Sequence, residues 1–190
     1  VQLEYDAVLS AIGRTPRKPQ SLIEKWNLVF DRGFVVDRYN RTRQKHIYAI
    51  GDSVSGNLNF THVANDDGRR LVRNILFPYI PAGKGHKPVP SVVYTRLEIA
   101  RVGQTEKEAL EQFKGTTASV LYPLNNNDRD HLGAHAGGFV KLIYRKLTGT
   151  VLGATIVSEH AGEMIPRPVA AVAHRESIFS ISYDIFPYPT

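Results

Sequence analysis

His46-Ile47-Tyr48-Ala49-Ile50-Gly51-Asp52 is the stretch on which the reading of this chain turns. A polar segment, Arg41 to Lys45, runs into the apolar residues Ile47 to Ile50, and Gly51 and Asp52 then stop the run. A short apolar run bounded in this way reads as a buried strand of an α/β sheet. Ligands in open α/β sheets bind just beyond the carboxyl ends of strands, and Asp52 stands at such an end. Gly51 lets a ligand approach the backbone, and Asp52 offers a carboxylate to hydroxyl groups. A plain strand-terminating turn is the competing reading of the same two residues.

The flanks support an α/β context. Val1 to Gly13 reads as a strand that ends in the loop Gly13-Arg14-Thr15-Pro16, Ser21 to Trp26 as one or two helical turns, and Gly33 to Asp37 as a short strand. Thr61 to Phe77 reads as a helix with Thr61 as N-cap and Ala64, Leu71, Val72, Ile75 and Leu76 as its apolar stripe. Asp66 and Asp67 lie early, and Arg69, Arg70 and Arg73 late, as the macrodipole favours. The helix N-terminus then follows Asp52 closely, where it can hold an anion or an electron-rich ring oxygen. Pro78 ends the helix.

Pro81 to Pro90 is rich in proline and glycine and reads as a linker. Its Gly83-Lys84-Gly85 lacks the Gly-Lys-Ser/Thr ending of a phosphate loop, and no GxGxxG occurs in the chain. Beyond it the pattern is α+β. Val92 to Thr95, Ile99 to Val102 and Thr116 to Leu121 read as strands, and Thr105-Glu-Lys-Glu108 is a capping box that opens a helix to about Phe113. Asn125 to Asp130 reads as a polar loop. Gly138 to Arg145 and Thr150 to Val157 form a hairpin about Leu147-Thr-Gly149. Ala161 to Arg175 has helical composition, with the regular helix expected only after Pro166 and Pro168.

Composition narrows the function. The hydrophobic share of 42% supports one sizeable core, or one domain and a piece of another. No run is long enough to span a membrane, and no signal peptide opens the chain. The absence of cysteine removes disulfides, thiolate metal sites and a redox cysteine pair from this chain, and fits a cytoplasmic protein. Without a secretion signal, the glycosylation patterns at Asn40 and Asn59 carry little weight. A net charge of +6 admits nucleic acid or an anionic cofactor. The cations are scattered in twos and threes, as on solvated faces, which argues against nucleic acid. The chain begins at Val1 inside an apolar run and stops at Tyr188-Pro-Thr190, so it reads as a fragment of a longer protein.

Several motifs agree in order and spacing with one family. The chain resembles the C-terminal part of class I pyridine nucleotide–disulfide oxidoreductases, which include glutathione reductase, lipoamide dehydrogenase and mercuric reductase. Tyr5 to Pro16 resembles the exit from the NAD(P) domain, and Thr42 to Asp52 the second FAD motif. Val93-Tyr-Thr95, Glu98 to Gly103 and Thr105 to Ala109 resemble the start of the dimerisation domain. Gly153-Ala154 and Ala161 to Ile165 resemble its hairpin and following helix.

The resemblance implies residues 1–80 as the end of the NAD(P)/FAD-binding region, 81–90 as a linker and 91–190 as a dimerisation domain. The implied fold is α+β, an α/β remnant followed by an antiparallel sheet with helices on one side. It also implies FAD and NAD or NADP as cofactors, a homodimer with its interface from Lys84 onward, and electron transfer to a disulfide or other small-molecule acceptor. Asp52 would bind the FAD ribityl hydroxyls, Gly51 would give clearance, and Thr61, His62 and Val63 would turn N–H groups toward the flavin. Gly13 and Arg14 would sit at the hinge between the two binding domains. Tyr188 stands where the family carries its acid–base His, and Leu97 replaces the usual Pro. A phenol is a poor base near neutrality, so Tyr188 is expected to donate a hydrogen bond or to serve as an interface aromatic. The family's pyrophosphate glycines and thiols precede this segment. The isolated chain is therefore expected to be inert and to hold FAD weakly or not at all.

Other readings remain open in the sequence. Gly51-Asp52-Ser53 with Asp128-Arg-Asp-His131 fits a Gly-Asp-Ser hydrolase, with Ser53 as nucleophile, His131 as base and Asp128 as orienter. A non-enzymatic dimerisation module is a third class. His131 and His135 with Asp128 and Asp130 are a conceivable metal cluster, though a solvated loop explains them better.

Overall fold

In the computed structural model, which describes residues 4–83, 87–132 and 137–190, the chain divides into two units, Val1–His86 and Lys87–Thr190. In the first unit, Gln20–Trp26 forms α1, closed by Asn27 in the left-handed conformation (φ 49°). Thr61–Leu76 forms α2. Between them the backbone is held by isolated bridges, Phe34 to Phe30 and Val54, and Arg41 to Tyr48. The strand expected over Ile47 to Ile50 is thus an extended segment with one bridge. Backbone and side chains of residues 40–42 share its hydrogen bonds: the Ala49 N–H donates to the Asn40 carbonyl at 3.1 Å and the Thr42 N–H to the Ile47 carbonyl at 2.9 Å. Buried Asn40 donates through Nδ2 to the Ala49 carbonyl at 3.0 Å, and the Thr42 hydroxyl donates to the Ile47 carbonyl at 2.9 Å.

Two other strand expectations also change. Val1 to Leu3 lie outside the described residues, and 4–13 form no strand. Ile12 is 96% exposed, because no described strand lies beside this segment to complete a ladder. The strand expected over 33–37 reduces to the bridges at Phe34.

The face that α2 buries is not the apolar stripe read from the sequence. Val72, Ile75 and Leu76 are exposed, whereas Val63, Asp67 and Asn74 are buried. The buried polar side chains satisfy irregular backbone: Asn74 donates to the Ala82 carbonyl at 2.9 Å and accepts the Ala82 N–H at 2.7 Å. Thr61 is also not the N-cap. Phe60 holds that place without a side-chain bond, and Thr61 is the first helical residue.

The second unit follows its sequence pattern more closely. Ser91–Val93 (β1), Glu98–Gly103 (β2), Thr117–Pro123 (β3), Phe139–Arg145 (β4) and Val151–Ser158 (β5) form one antiparallel sheet in the order β1-β2-β5-β4-β3. The hairpin β4–β5 lies at its centre. Glu106–Phe113 (α3) opens with both halves of the expected capping box. Asn125 to Asp130, expected as loop, instead contains a 3₁₀ turn, Leu124–Asn126, and the short helix Asp128–Leu132 (α4). Asn127 caps α4, its Oδ1 accepting the Arg129 N–H at 2.8 Å.

Ala161–Met164 (α5) and Pro166–His174 (α6) follow, then Ile178–Ile181 (α7), capped by Ser177. α6 begins at Pro166 rather than after the prolines. Proline in a first turn lacks only an N–H that has no intrahelical acceptor. Ala100, Val102, Ala154 and Ile156 from one face of the sheet form a buried core with Ala161 of α5 and Ile165 just after it. Val169 and Val172 of α6 pack against that core. The fold class is the expected one, and α5 and α6 share a face. α3 is the addition: Glu106 pairs with Lys141 and accepts from Ser119 at 2.8 Å, both on the opposite alternation of β4 and β3.

Candidate functional site

The first site is built on Gly51–Ser53, a 3₁₀ turn that ends the extended segment. Gly51 is buried, has φ +59°, and would place an added Cβ 2.7 Å from the Ala64 Cβ of α2. Only glycine fits this close approach of turn and helix.

Asp67 locks the turn in place. Its carboxylate is 1% exposed and accepts from the Gly51 N–H at 3.1 Å, from Asn57 Nδ2 at 2.9 Å and from Arg70. Asn57 Nδ2 also donates to the Gly51 carbonyl at 3.1 Å. Arg70 reaches Asn40 Oδ1 at 2.9 Å and Asp66 at 3.0 Å, so helix, turn and loop share one polar network. Burial pushes the Asp67 carboxyl up. The bonds from Arg70, Gly51 and Asn57, with the Arg70 charge, outweigh it and hold the group below its ordinary value.

Asp52 itself points to a cleft of about 250 Å³ lined by Arg14, Pro16, Phe34, Asp52, Ser53 and Asn59. Arg14 Nη2 lies 3.1 Å from Asp52 Oδ2 and donates to the Asn59 carbonyl at 3.2 Å. Of the other residues singled out, Thr61 and His62 are exposed at the start of α2, where His62 stacks on Phe60 with ring centroids 5.1 Å apart. Val63 is buried, and its N–H donates to the Phe60 carbonyl at 3.1 Å. The sequence does not single out Asp67 or Asn57 as site residues, and it suggests Arg14 only as part of a hinge. The spacing of Asp67 and Arg70 on a helix was the available signal, since such pairs meet on one face.

A second site lies in the other unit. The Tyr188 hydroxyl donates to Asp128 Oδ2 at 3.1 Å, and Asn127 Nδ2 donates to the Thr190 carbonyl at 3.0 Å. A cleft of about 420 Å³ adjoins them, lined by Leu124, Asn127, Arg129, His160, Met164 and Pro189 among others. The bond to Asp128 and its negative charge both raise the Tyr188 phenol above its ordinary value.

Two of the hydrolase candidates are engaged with other partners. The Ser53 hydroxyl donates to the Ile50 carbonyl at 2.8 Å, and the Asp128 carboxylate takes the Tyr188 hydroxyl. Among the described residues no group of three or more His, Asp or Glu could hold a metal ion. His135 of the conceivable metal cluster and Lys84, where the dimer interface was expected to begin, lie outside the described residues. Among the described residues no helix is long and apolar enough to cross a membrane.

Comparison with known proteins accounts for both units. The family model described as pyridine nucleotide-disulphide oxidoreductase, dimerisation domain, matches residues 89–190, and that described as pyridine nucleotide-disulphide oxidoreductase matches 1–68. The chain is 37% identical to the dihydrolipoyl dehydrogenase of Vibrio cholerae over 98% of its length, and 34% identical to that of Haloferax volcanii over 97%. It spans 39% of the length of each of these relatives. Among solved structures, the HOCl-induced flavoprotein disulfide reductase RclA from Escherichia coli, as its Cu(II) complex, superposes with a TM-score of 0.89 at 28% identity, covering all of this chain and 44% of that one. LpdA from Mycobacterium tuberculosis gives 0.82 at 28% identity, covering 95% of this chain and 39% of that one. A hydrolase reading is not favoured by any of these matches, and the chain belongs to the pyridine nucleotide-disulphide oxidoreductase family.

Proposed function

We propose that this chain is the C-terminal part of an FAD-dependent oxidoreductase that passes electrons from NAD(P)H through FAD to a disulfide or another small-molecule acceptor. In this reading residues 1–80 supply one side of the flavin site, 81–90 link, and 91–190 form the homodimer interface. The observation that carries it is the Gly51–Asp52 turn, locked to α2 by Asp67, with the Asp52 carboxylate facing a cleft. These residues fit FAD: a partly exposed carboxylate can accept from ribityl hydroxyls, and Gly51 lets the turn that carries it pack closely against α2. Bound FAD would supply the two-electron carrier. The chain's own residues would orient it, with Asp52 on the ribityl chain and the first turn of α2, Thr61 to Val63, presenting its positive end.

Tyr188 takes the place of the family's acid–base histidine. The cysteine-free composition suits a cytoplasmic setting. The isolated chain supplies only part of the flavin site, so it is inert by itself and serves as a pairing module. The test is direct. The purified chain is titrated with FAD by flavin fluorescence anisotropy, assayed for NAD(P)H oxidation, and sedimented. Weak or absent flavin binding, no turnover and a dimer are expected. Stoichiometric flavin with turnover would show a complete site within the chain, and a monomer at micromolar concentration would remove the interface assignment.

A further inference from the structure

The C-terminal segment is tied down at two points by one short stretch. Asn127 Nδ2 donates to the Thr190 carbonyl at 3.0 Å, and the adjacent Asp128 accepts the Tyr188 hydroxyl at 3.1 Å. The stretch has its own reason to be ordered. Asn127 caps α4 through Oδ1 while its Nδ2 holds Thr190, so both ends of one amide are used. A phenol has one hydrogen and two lone pairs. With the hydrogen committed to Asp128, the lone pairs remain for other groups.

We propose that Asp128 is a positioning residue for Tyr188. It takes the phenol hydrogen, keeps the ring neutral, and makes Tyr188 a hydrogen-bond acceptor for a donor such as a substrate thiol S–H. This deepens the reading of Tyr188 given above and rests on it. The hydrogen bond that Tyr188 donates goes to Asp128, and the phenol oxygen gains an accepting role beside it. Asp128 is the charged side chain bonded to the phenol, and Arg129, Asp130, Glu159 and His160 line the cleft beside it. Asp184, on the same segment, is engaged by Arg167 at 2.5 Å, and Arg129, Asp130 and His131 lie along α4 with Asp128.

Two measurements separate the parts of this proposal. In the chain itself, ring-labelled tyrosine NMR follows the ionisation of Tyr188, assigned by Tyr188→Phe. Asp128→Asn is expected to let Tyr188 ionise at lower pH, and Asp128→Glu to restore the wild-type titration, with the amide spectrum of the sheet unchanged. An unchanged Tyr188 titration in Asp128→Asn overturns the role of Asp128. In the full-length dimeric holoenzyme, kcat is expected to fall on the order of 10- to 100-fold in both Tyr188→Phe and Asp128→Asn, and to recover in Asp128→Glu. Full activity of Tyr188→Phe overturns the reading of Tyr188 while leaving the Asp128 contact standing. A loss in Tyr188→Phe alone overturns the positioning role of Asp128.

Discussion

Replacing Asp67 tests whether the Gly51–Ser53 turn is held by a buried charge. Three donors converge on this carboxylate, the Gly51 N–H, Asn57 Nδ2 and Arg70. In Asp67→Asn the amide oxygen can keep Gly51 and Asn57, but its NH₂ then faces the guanidinium, so a charge-assisted bond is lost. That change is worth about 2–3 kcal/mol. In Asp67→Ala all three donors lose their acceptor, and Arg70 keeps only Asp66 and Asn40. Breaking one member of a buried ion pair costs about 3–5 kcal/mol, so the alanine variant should be the weaker of the two.

Trp26 makes the assay selective. It is the only tryptophan, lies in α1 of the same unit, and is 37% exposed. Urea unfolding followed by its emission therefore reports the first unit. The pH dependence has a defined sign. The Asp67 carboxyl lies below its ordinary value of 3.8 in the folded chain, so its contribution is complete above that value. It is lost as pH falls through the lower folded value. Wild-type chain should lose this increment on acidification, and Asp67→Asn should lack that limb of the curve. Two variants within about 0.5 kcal/mol of wild type, with unchanged acid limbs, would refute the network as the element that holds the turn.

Two further substitutions probe each unit. Gly51→Ala should cost the first unit about 1–3 kcal/mol for the left-handed backbone, with the 2.7 Å approach to Ala64 Cβ adding to it, read by the same Trp26 unfolding curve. Thr105→Ala removes the hydroxyl that accepts the Glu108 N–H at 3.2 Å. It should lower the stability of the second unit by about 1 kcal/mol, measured by far-ultraviolet circular dichroism in urea.

The second unit was legible because its signals are local. The Thr105–Glu108 spacing satisfies two backbone donors within one turn, and the strands flanking Leu147-Thr-Gly149 alternate about a short turn. Each such feature is decided by residues a few positions apart. The first unit was read less well because its structure depends on distant partners. Ile47 to Ile50 has the composition of a buried strand, but a strand also needs a neighbour, and here Asn40 and Thr42 take its backbone groups. On α2 the apolar pattern pointed to Val72, Ile75 and Leu76. The buried face was decided instead by what Asp67 and Asn74 could bond across the fold. Hydrophobic periodicity carries no information about such long-range polar satisfaction. The position of Asp52 at a turn beside a cleft was readable, and the carboxylate behind it was not.

The two units consequently differ in what keeps them folded. The second closes a core of its own, in which Ala100, Ala161, Val102, Ala154, Ile156 and Ile165 are at most 3% exposed. The first leaves Leu9, Ile12, Val72, Ile75, Leu76 and Phe77 exposed, and fixes its central turn with polar bonds from Asp67, Asn57 and Arg70. A hydrophobic core holds its residues without directional preference, whereas hydrogen bonds fix angles as well as distances. The Gly51–Asp52 turn therefore has its geometry set by a satisfied polar network. In the flavin reading, this places Asp52 before a cofactor arrives, and binding need not order the turn as well.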